Sequence, residues 1–171
     1  MSGLFKFENQ LIITMQKRII MFLSGIIVGI VLTVVLIVVI LPKQMFIVSE
    51  SKYGFEETMS AIEKSAEENK WGVPHKYDLQ ATLKGKGFDV KPVSVFSLCK
   101  PQHANEILKS DEERLVSALM PCRVAVYEKD GKTYVSMLNA GLFSKFMGKK
   151  VKDVMGAASE ENKQILEPIV K

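Results

Sequence analysis

The stretch Ser97–Leu108, SLCKPQHANEIL, places Cys99 four residues before His103. Cys99 ends a run that is typical of a β-strand, and Pro101 follows at a position that the first turn of a helix accepts. The exposed N–H groups of a helix start stabilise a thiolate, and the same field keeps a nearby imidazole neutral. Cys99 and His103 are therefore candidates for a reactive thiol or for metal ligands.

Cys122 is the second of the two cysteines in the chain, and Met120 precedes it by two residues. Together with Cys99 and His103, Met120 could complete a set of soft ligands, which would favour copper(I) over zinc. Three interpretations stay open: inert packing of the two cysteines, a thiol or soft-metal site, and a disulfide. The order of the strands decides whether Cys122 lies beside Cys99, and the sequence does not determine that order.

A long apolar segment determines where this chemistry takes place. The 23 residues Ile19–Leu41 contain no charged side chain. At ~1.5 Å per residue, a helix of this length crosses the hydrocarbon core of a bilayer. It is too long for the apolar region of a signal peptide, and no small-residue cleavage pattern follows it. We predict a transmembrane helix over residues 19–41 that is retained as an anchor.

The charges around this segment predict its orientation. Lys6, Lys17 and Arg18 precede it, whereas Lys43 and Lys52 follow it. The bias toward an N-terminus inside is small, and it predicts a cytoplasmic tail over residues 1–18 and an extracytoplasmic domain over residues 45–171. That domain holds 19 basic and 18 acidic residues. It lacks the strong positive field of a nucleic-acid-binding protein, so no nucleic acid is expected as a partner.

The domain must supply the elements that position the cysteines. Alternation and helical spacing predict an α+β fold, β-α-β-β-α-β-β-α, with a largely antiparallel sheet and its helices on one face. A hairpin turn is expected at Asp130-Gly131, and Pro74 places its strand near an edge. Gln80–Asp89 are expected to form a loop with room for a helical turn, and the helical stretch after Leu142 is expected to be interrupted at Gly148 and Gly156. The predicted strands are 44–51, 73–79, 93–98, 122–128 and 133–138, and the predicted helices 54–69 and 101–110.

Four stretches of this domain carry a family resemblance: YGFEETMSAIEKSAEENKWGV, DLQATL, SLCKPQHA and MPCRVAVYEKDGKTYVS. In this order and spacing they resemble the family known as domain of unknown function 302, over roughly residues 45–140. The resemblance implies a small α+β domain that tends to form homodimers. It implies no catalytic residues, because the function of the family is not established. The anchor is an addition to the bare domain.

Gly25 and Gly29 form a GxxxG motif inside the predicted span. Such a motif lets two membrane helices approach closely, and it agrees with a homodimer. No nucleophile–base set, phosphate loop or dinucleotide motif is present in the sequence. The sequence therefore favours a membrane-anchored, extracytoplasmic and homodimeric binding or sensing module whose ligand it does not identify. The alternative is a thiol-dependent redox protein, or a protein that binds a soft transition metal through Cys99, His103 and Cys122.

Overall fold

The computed structural model describes residues 2–171, with side chains from residue 15 onward. Contacts divide the chain into two compact units, one that ends at Lys43 and one over Gln44–Lys171. The side chains of residues 1–14, including that of Lys6, lie outside the described part.

The first unit consists of one helix, α1, over Ser2–Gln44. Its segment Met15–Gln44 reaches a mean hydropathy of 3.2, and none of the most apolar part is buried by the protein. The helix is therefore long and apolar enough to cross a membrane. The predicted tail and the predicted span belong to this single helix, without a break between them.

The second unit contains five strands and five α-helices among the described residues. The strands are β1 (Phe46–Glu50), β2 (Gly72–Asp78), β3 (Val93–Cys99), β4 (Cys122–Lys129) and β5 (Lys132–Leu138). The helices are α2 (Phe55–Glu68), α3 (Leu79–Lys84), α4 (Pro101–Leu108), α5 (Ala140–Phe143) and α6 (Lys149–Leu166). Two 3₁₀ helices, Arg114–Leu119 and Ser144–Phe146, lie between them.

The five strands form one antiparallel sheet in the order β1-β5-β4-β3-β2. This confirms the predicted fold class. β2, which contains Pro74, is an edge strand as predicted, since proline cannot donate to a neighbouring strand on both sides. Asp130 and Gly131 turn the β4–β5 hairpin, both with positive φ. The placement of β1 beside β5 pairs the first strand of the domain with the last one.

The main core lies between one face of the sheet and the helices α2 and α6. Ile62 of α2 and Ile165 of α6 are fully buried against Phe96, Val124 and Val126 of the central strands. A smaller apolar cluster connects α4 and α6 near the ends of β3 and β4, and Met155 of α6 belongs to it. This second cluster packs beside the predicted site.

One of the predicted helix interruptions was wrong. Helix α6 continues through Gly156, because packing of its buried side chains outweighs the cost of about 1 kcal/mol of a glycine in a helix. Gly148, in contrast, does precede the first residue of α6 as an interruption. Part of the predicted loop 80–89 forms the short helix α3, where a helical turn was expected, and the side chain of Asp78 accepts a hydrogen bond from the Ala81 N–H at its start.

Candidate functional site

All four predicted site residues line one small cavity. Cys99, His103, Met120 and Cys122 surround a space of about 30 Å³ at the end of β3 and β4. The strand order explains this convergence, since Leu98 of β3 lies directly across from Cys122 of β4. Both cysteines are free thiols and half-buried. The cavity has room for one water-sized group.

Helix α4 positions His103 as predicted. It begins at Pro101, directly after the strand residue Cys99 and the extended Lys100. The ring of His103 packs against that of Trp71, with 5.9 Å between the ring centroids and 47° between the planes. Trp71 is 4 % exposed. The imidazole is therefore fixed between the start of α4 and the residue that precedes β2.

A carboxylate that the sequence did not single out organises this side of the site. Glu161 of α6 accepts hydrogen bonds from Trp71 Nε1 at 2.9 Å and from Lys100 Nζ. Its second oxygen, Oε1, lies 2.9 Å from Nε2 of His103. Three donors from three parts of the chain thus meet one carboxylate, and we call these four side chains the Glu161 cluster.

The environment of Glu161 decides its charge. Burial disfavours the ionised form, but the hydrogen bonds from Lys100, His103 and Trp71 outweigh it and lower the pKa of Glu161 to about 2. The carboxylate is therefore charged throughout the neutral range. It holds α6 against the start of α4, and it occupies Nε2 of His103, so Nδ1 is the ring nitrogen left for another partner.

The two thiols differ in their surroundings. Burial raises the pKa of the Cys122 thiol, and the neighbouring Asn162 amide offsets this only in part. Cys122 packs at the margin of the main core. Among the side chains that the structure describes, no group of three or more His, Cys, Asp and Glu residues is arranged to hold a metal ion.

A larger cavity lies on the other side of Cys122. Strands β4 and β5 pair as far as Val124–Met137. Beyond that pair β4 continues beside β3, to Cys122, whereas β5 continues beside β1, to Leu138. β4 and β5 therefore part at this end of the sheet, and residues of both strand ends line a cavity of about 390 Å³.

The wall of this cavity is mainly apolar. Four methionines contribute to it, together with Phe46, Phe143 and several aliphatic residues; the methionines are Met120, Met137, Met147 and Met155. Arg123 is the one charged residue of the lining, and it is exposed. The two cavities share Met120, Pro121, Cys122 and Met155, so these residues form the partition between them.

Asn162 is a buried polar residue of the lining. It is 3 % exposed, and its Nδ2 donates to the Ala158 carbonyl at 2.9 Å. Its Oδ1 is buried and has no hydrogen-bond partner among the described residues. The sequence held a signal for it, because Asn162 continues the spacing of Met155, Ala158 and Ile165 along the buried side of α6. Glu161 had no comparable signal.

Comparison with known proteins identifies a family and a fold. Residues 47–169 match the family described as "Domain of unknown function DUF302". The crystal structure of an uncharacterized conserved protein DUF302 from Bacillus stearothermophilus superposes with a TM-score of 0.66 and 24 % sequence identity. The alignment covers 72 % of this chain and 96 % of that one, and at this identity it shows the fold alone. No curated protein matches the chain.

Proposed function

Because the chain belongs to the DUF302 family, whose name leaves its biochemistry open, we propose that it is a membrane-anchored binding or sensing module without catalysis. The observation that carries the proposal is the cavity of about 390 Å³ at the parted end of the sheet. Cavities of roughly 300–1,000 Å³ with mainly apolar walls are typical of small-molecule sites. Lys100, His103 and Glu161 are bound to one another in the Glu161 cluster and do not line this cavity.

The binding proposal is tested on the full chain, purified from membranes under mild conditions. Native mass spectrometry should detect a small molecule retained by the protein. The substitution Ala118→Trp, at an exposed position of the lining, should fill the cavity and abolish retention. Leu115→Trp is the matched control, since Leu115 lies in the same 3₁₀ helix, is 75 % exposed and does not line the cavity. Equal retention by both variants would contradict the proposal.

We place the domain outside the cytoplasm, with residues 1–18 inside and residues 19–41 as the span. The support is the uncharged segment and the pair Lys17-Arg18 directly before it. Alkaline phosphatase fused after Lys171 should be active. An inactive fusion, together with an active cytoplasmic reporter at the same position, would reverse the orientation.

The alternative function is a thiol-dependent redox or soft-metal-binding protein. Its support is the convergence of Cys99, His103, Met120 and Cys122 on one cavity. The Glu161–His103 contact resembles the carboxylate that commonly orients a metal-binding imidazole. Elemental analysis with thiol titration separates the two functions. Two free thiols per chain without stoichiometric metal support the binding module, whereas one copper per chain with both thiols protected supports the alternative.

We further propose that the protein is a homodimer. In the span, a side chain added at Gly25 or Gly29 would meet nothing within 4 Å in its own chain, so this surface is open to a second helix. In the domain, the sheet face opposite the main core exposes Phe46 by 56 % and Val48 by 51 %. Sedimentation in detergent should show a dimer, and Gly25→Ile with Gly29→Ile should weaken it. A full-length chain that stays monomeric at high micromolar concentration would contradict the proposal.

A further inference from the structure

Asn162 presents an unused hydrogen-bond acceptor beside the large cavity. A buried amide oxygen without a partner costs free energy that a leucine or methionine at the same position would avoid. Three other buried polar side chains of the domain are paired: Ser65 donates to the Ile165 carbonyl at 2.7 Å, and the hydroxyls of Ser51 and Thr58 lie 2.7 Å apart. Oδ1 of Asn162 therefore stands out as an atom that a bound molecule could satisfy.

From this atom we infer the chemical class of the ligand, an inference that rests on the proposed binding function. We propose that the cavity binds a small lipophilic molecule that carries one hydrogen-bond donor, a hydroxyl or an N–H, and that this donor binds Oδ1 of Asn162. A ligand without a donor would leave the buried Oδ1 of Asn162 unpaired, which costs binding free energy. The cavity should therefore prefer ligands that carry a donor.

The remaining wall fits a neutral, apolar body. Apart from the exposed Arg123, the lining contains no charged side chain that could balance a buried charge. Methionine side chains are flexible and adapt to ligands of different shape. This flexibility matters, because Oδ1 of Asn162 exposes less than 1 Å² in the structure, so a donor reaches it only after a small movement of neighbouring side chains.

Two probes of the same shape test the inference: 2-naphthol, which has a donor, and 2-methoxynaphthalene, which has none. The full chain in detergent micelles carries ¹³C-methyl methionine, and the methyl signals are assigned by single substitutions to leucine. Saturable shifts are expected at Met137, Met147 and Met155. Met59, which is 2 % exposed in the main core away from the cavity, is the internal control. We expect 2-naphthol to bind about five- to tenfold more tightly than its methyl ether.

Two variants separate this inference from the binding function. Asn162→Leu should equalise the affinities of the two probes, while Ala118→Trp should abolish the shifts from both. Equal affinities in the wild type, unchanged in Asn162→Leu, would overturn the donor inference and leave the binding function standing. Absence of saturable shifts at the cavity methionines, or the same shifts at Met59 and in Ala118→Trp, would overturn both.

Discussion

Cys122 lies between two regions of the same domain, and the two regions differ in whether their polar side chains have hydrogen-bond partners. On one side, the Glu161 cluster pairs every charge with another side chain, and about 30 Å³ of space is left. On the other side, the strands part, about 390 Å³ stays open, and the buried Oδ1 of Asn162 has no partner among the described residues. In the first region the Glu161 cluster holds α6 against the start of α4, and we call this arrangement the clamp. The second region has the properties of a binding site.

Substitution of a side chain between the two cavities should have the largest effect on stability. Met155 is 5 % exposed and borders both cavities. Met155→Ala should lower the free energy of unfolding by about 2–3 kcal/mol, the usual cost of truncating a buried methionine. It should also join the two spaces and accelerate alkylation of Cys122.

Met59→Ala is the matched control for Met155→Ala. Met59 is 2 % exposed in the main core, so a similar loss of stability is expected without a local effect on Cys122. Urea titration followed by the fluorescence of Trp71, the single tryptophan, measures stability, and mass spectrometry measures alkylation. Equal acceleration in both variants would mean that Met155 does not separate the cavities.

The clamp is tested by removing the charge of Glu161. In Glu161→Gln, the amide cannot satisfy Lys100, His103 and Trp71 together, and the lysine loses its counter-charge. We expect a loss of about 1–2 kcal/mol of unfolding free energy, because the site is partly open to water. Glu160→Gln is the control, since Glu160 is 66 % exposed and pairs only with Lys163, and it should cost less than about 0.5 kcal/mol. Equal losses in the two variants would refute the clamp.

The sequence predicted most of the strands and helix starts around the Glu161 cluster, but little of the large cavity. The reasons are physical. Alternation and turn residues define strands such as Cys122–Lys129, and Pro101 defines a helix start, because these signals are local. The pairing of β1 with β5 joins segments that are far apart in the sequence, so local patterns do not predict it. Because β5 continues beside β1 where it leaves β4, the large cavity depends on this pairing and could not be predicted either.

The two residues of α6 illustrate the same limit. Asn162 is a polar residue on an apolar stripe, so helical spacing alone marks it as unusual. Glu161 resembles any solvated acid of a surface helix. Its three partners come from the connection between α2 and β2, the residue before α4 and α4 itself, and only the folded arrangement brings them together.

The charge of Glu161 also predicts a dependence on pH. Its folded pKa of about 2 lies below the ordinary value of 4.5, so its contribution to stability is complete above pH 4.5 and disappears as the pH falls toward 2. The difference in unfolding free energy between the wild type and Glu161→Gln should therefore shrink over this range. Urea titrations at several pH values measure it, and a difference that stays constant down to pH 2.5 would contradict the assignment.

The smallest expected effect concerns the two thiols themselves. Burial raises the pKa of Cys122, so less of it is thiolate near neutral pH and iodoacetamide should modify Cys99 several-fold faster. Peptide mass spectrometry at pH 7.5 gives both rates, and Cys122→Ser should leave the rate at Cys99 unchanged. A saturating concentration of 2-naphthol should protect Cys122, which borders the large cavity, and leave Cys99, which borders only the small one, unprotected. Labelling of both cysteines only after denaturation would show that the two regions do not differ in access and that both thiols serve packing alone.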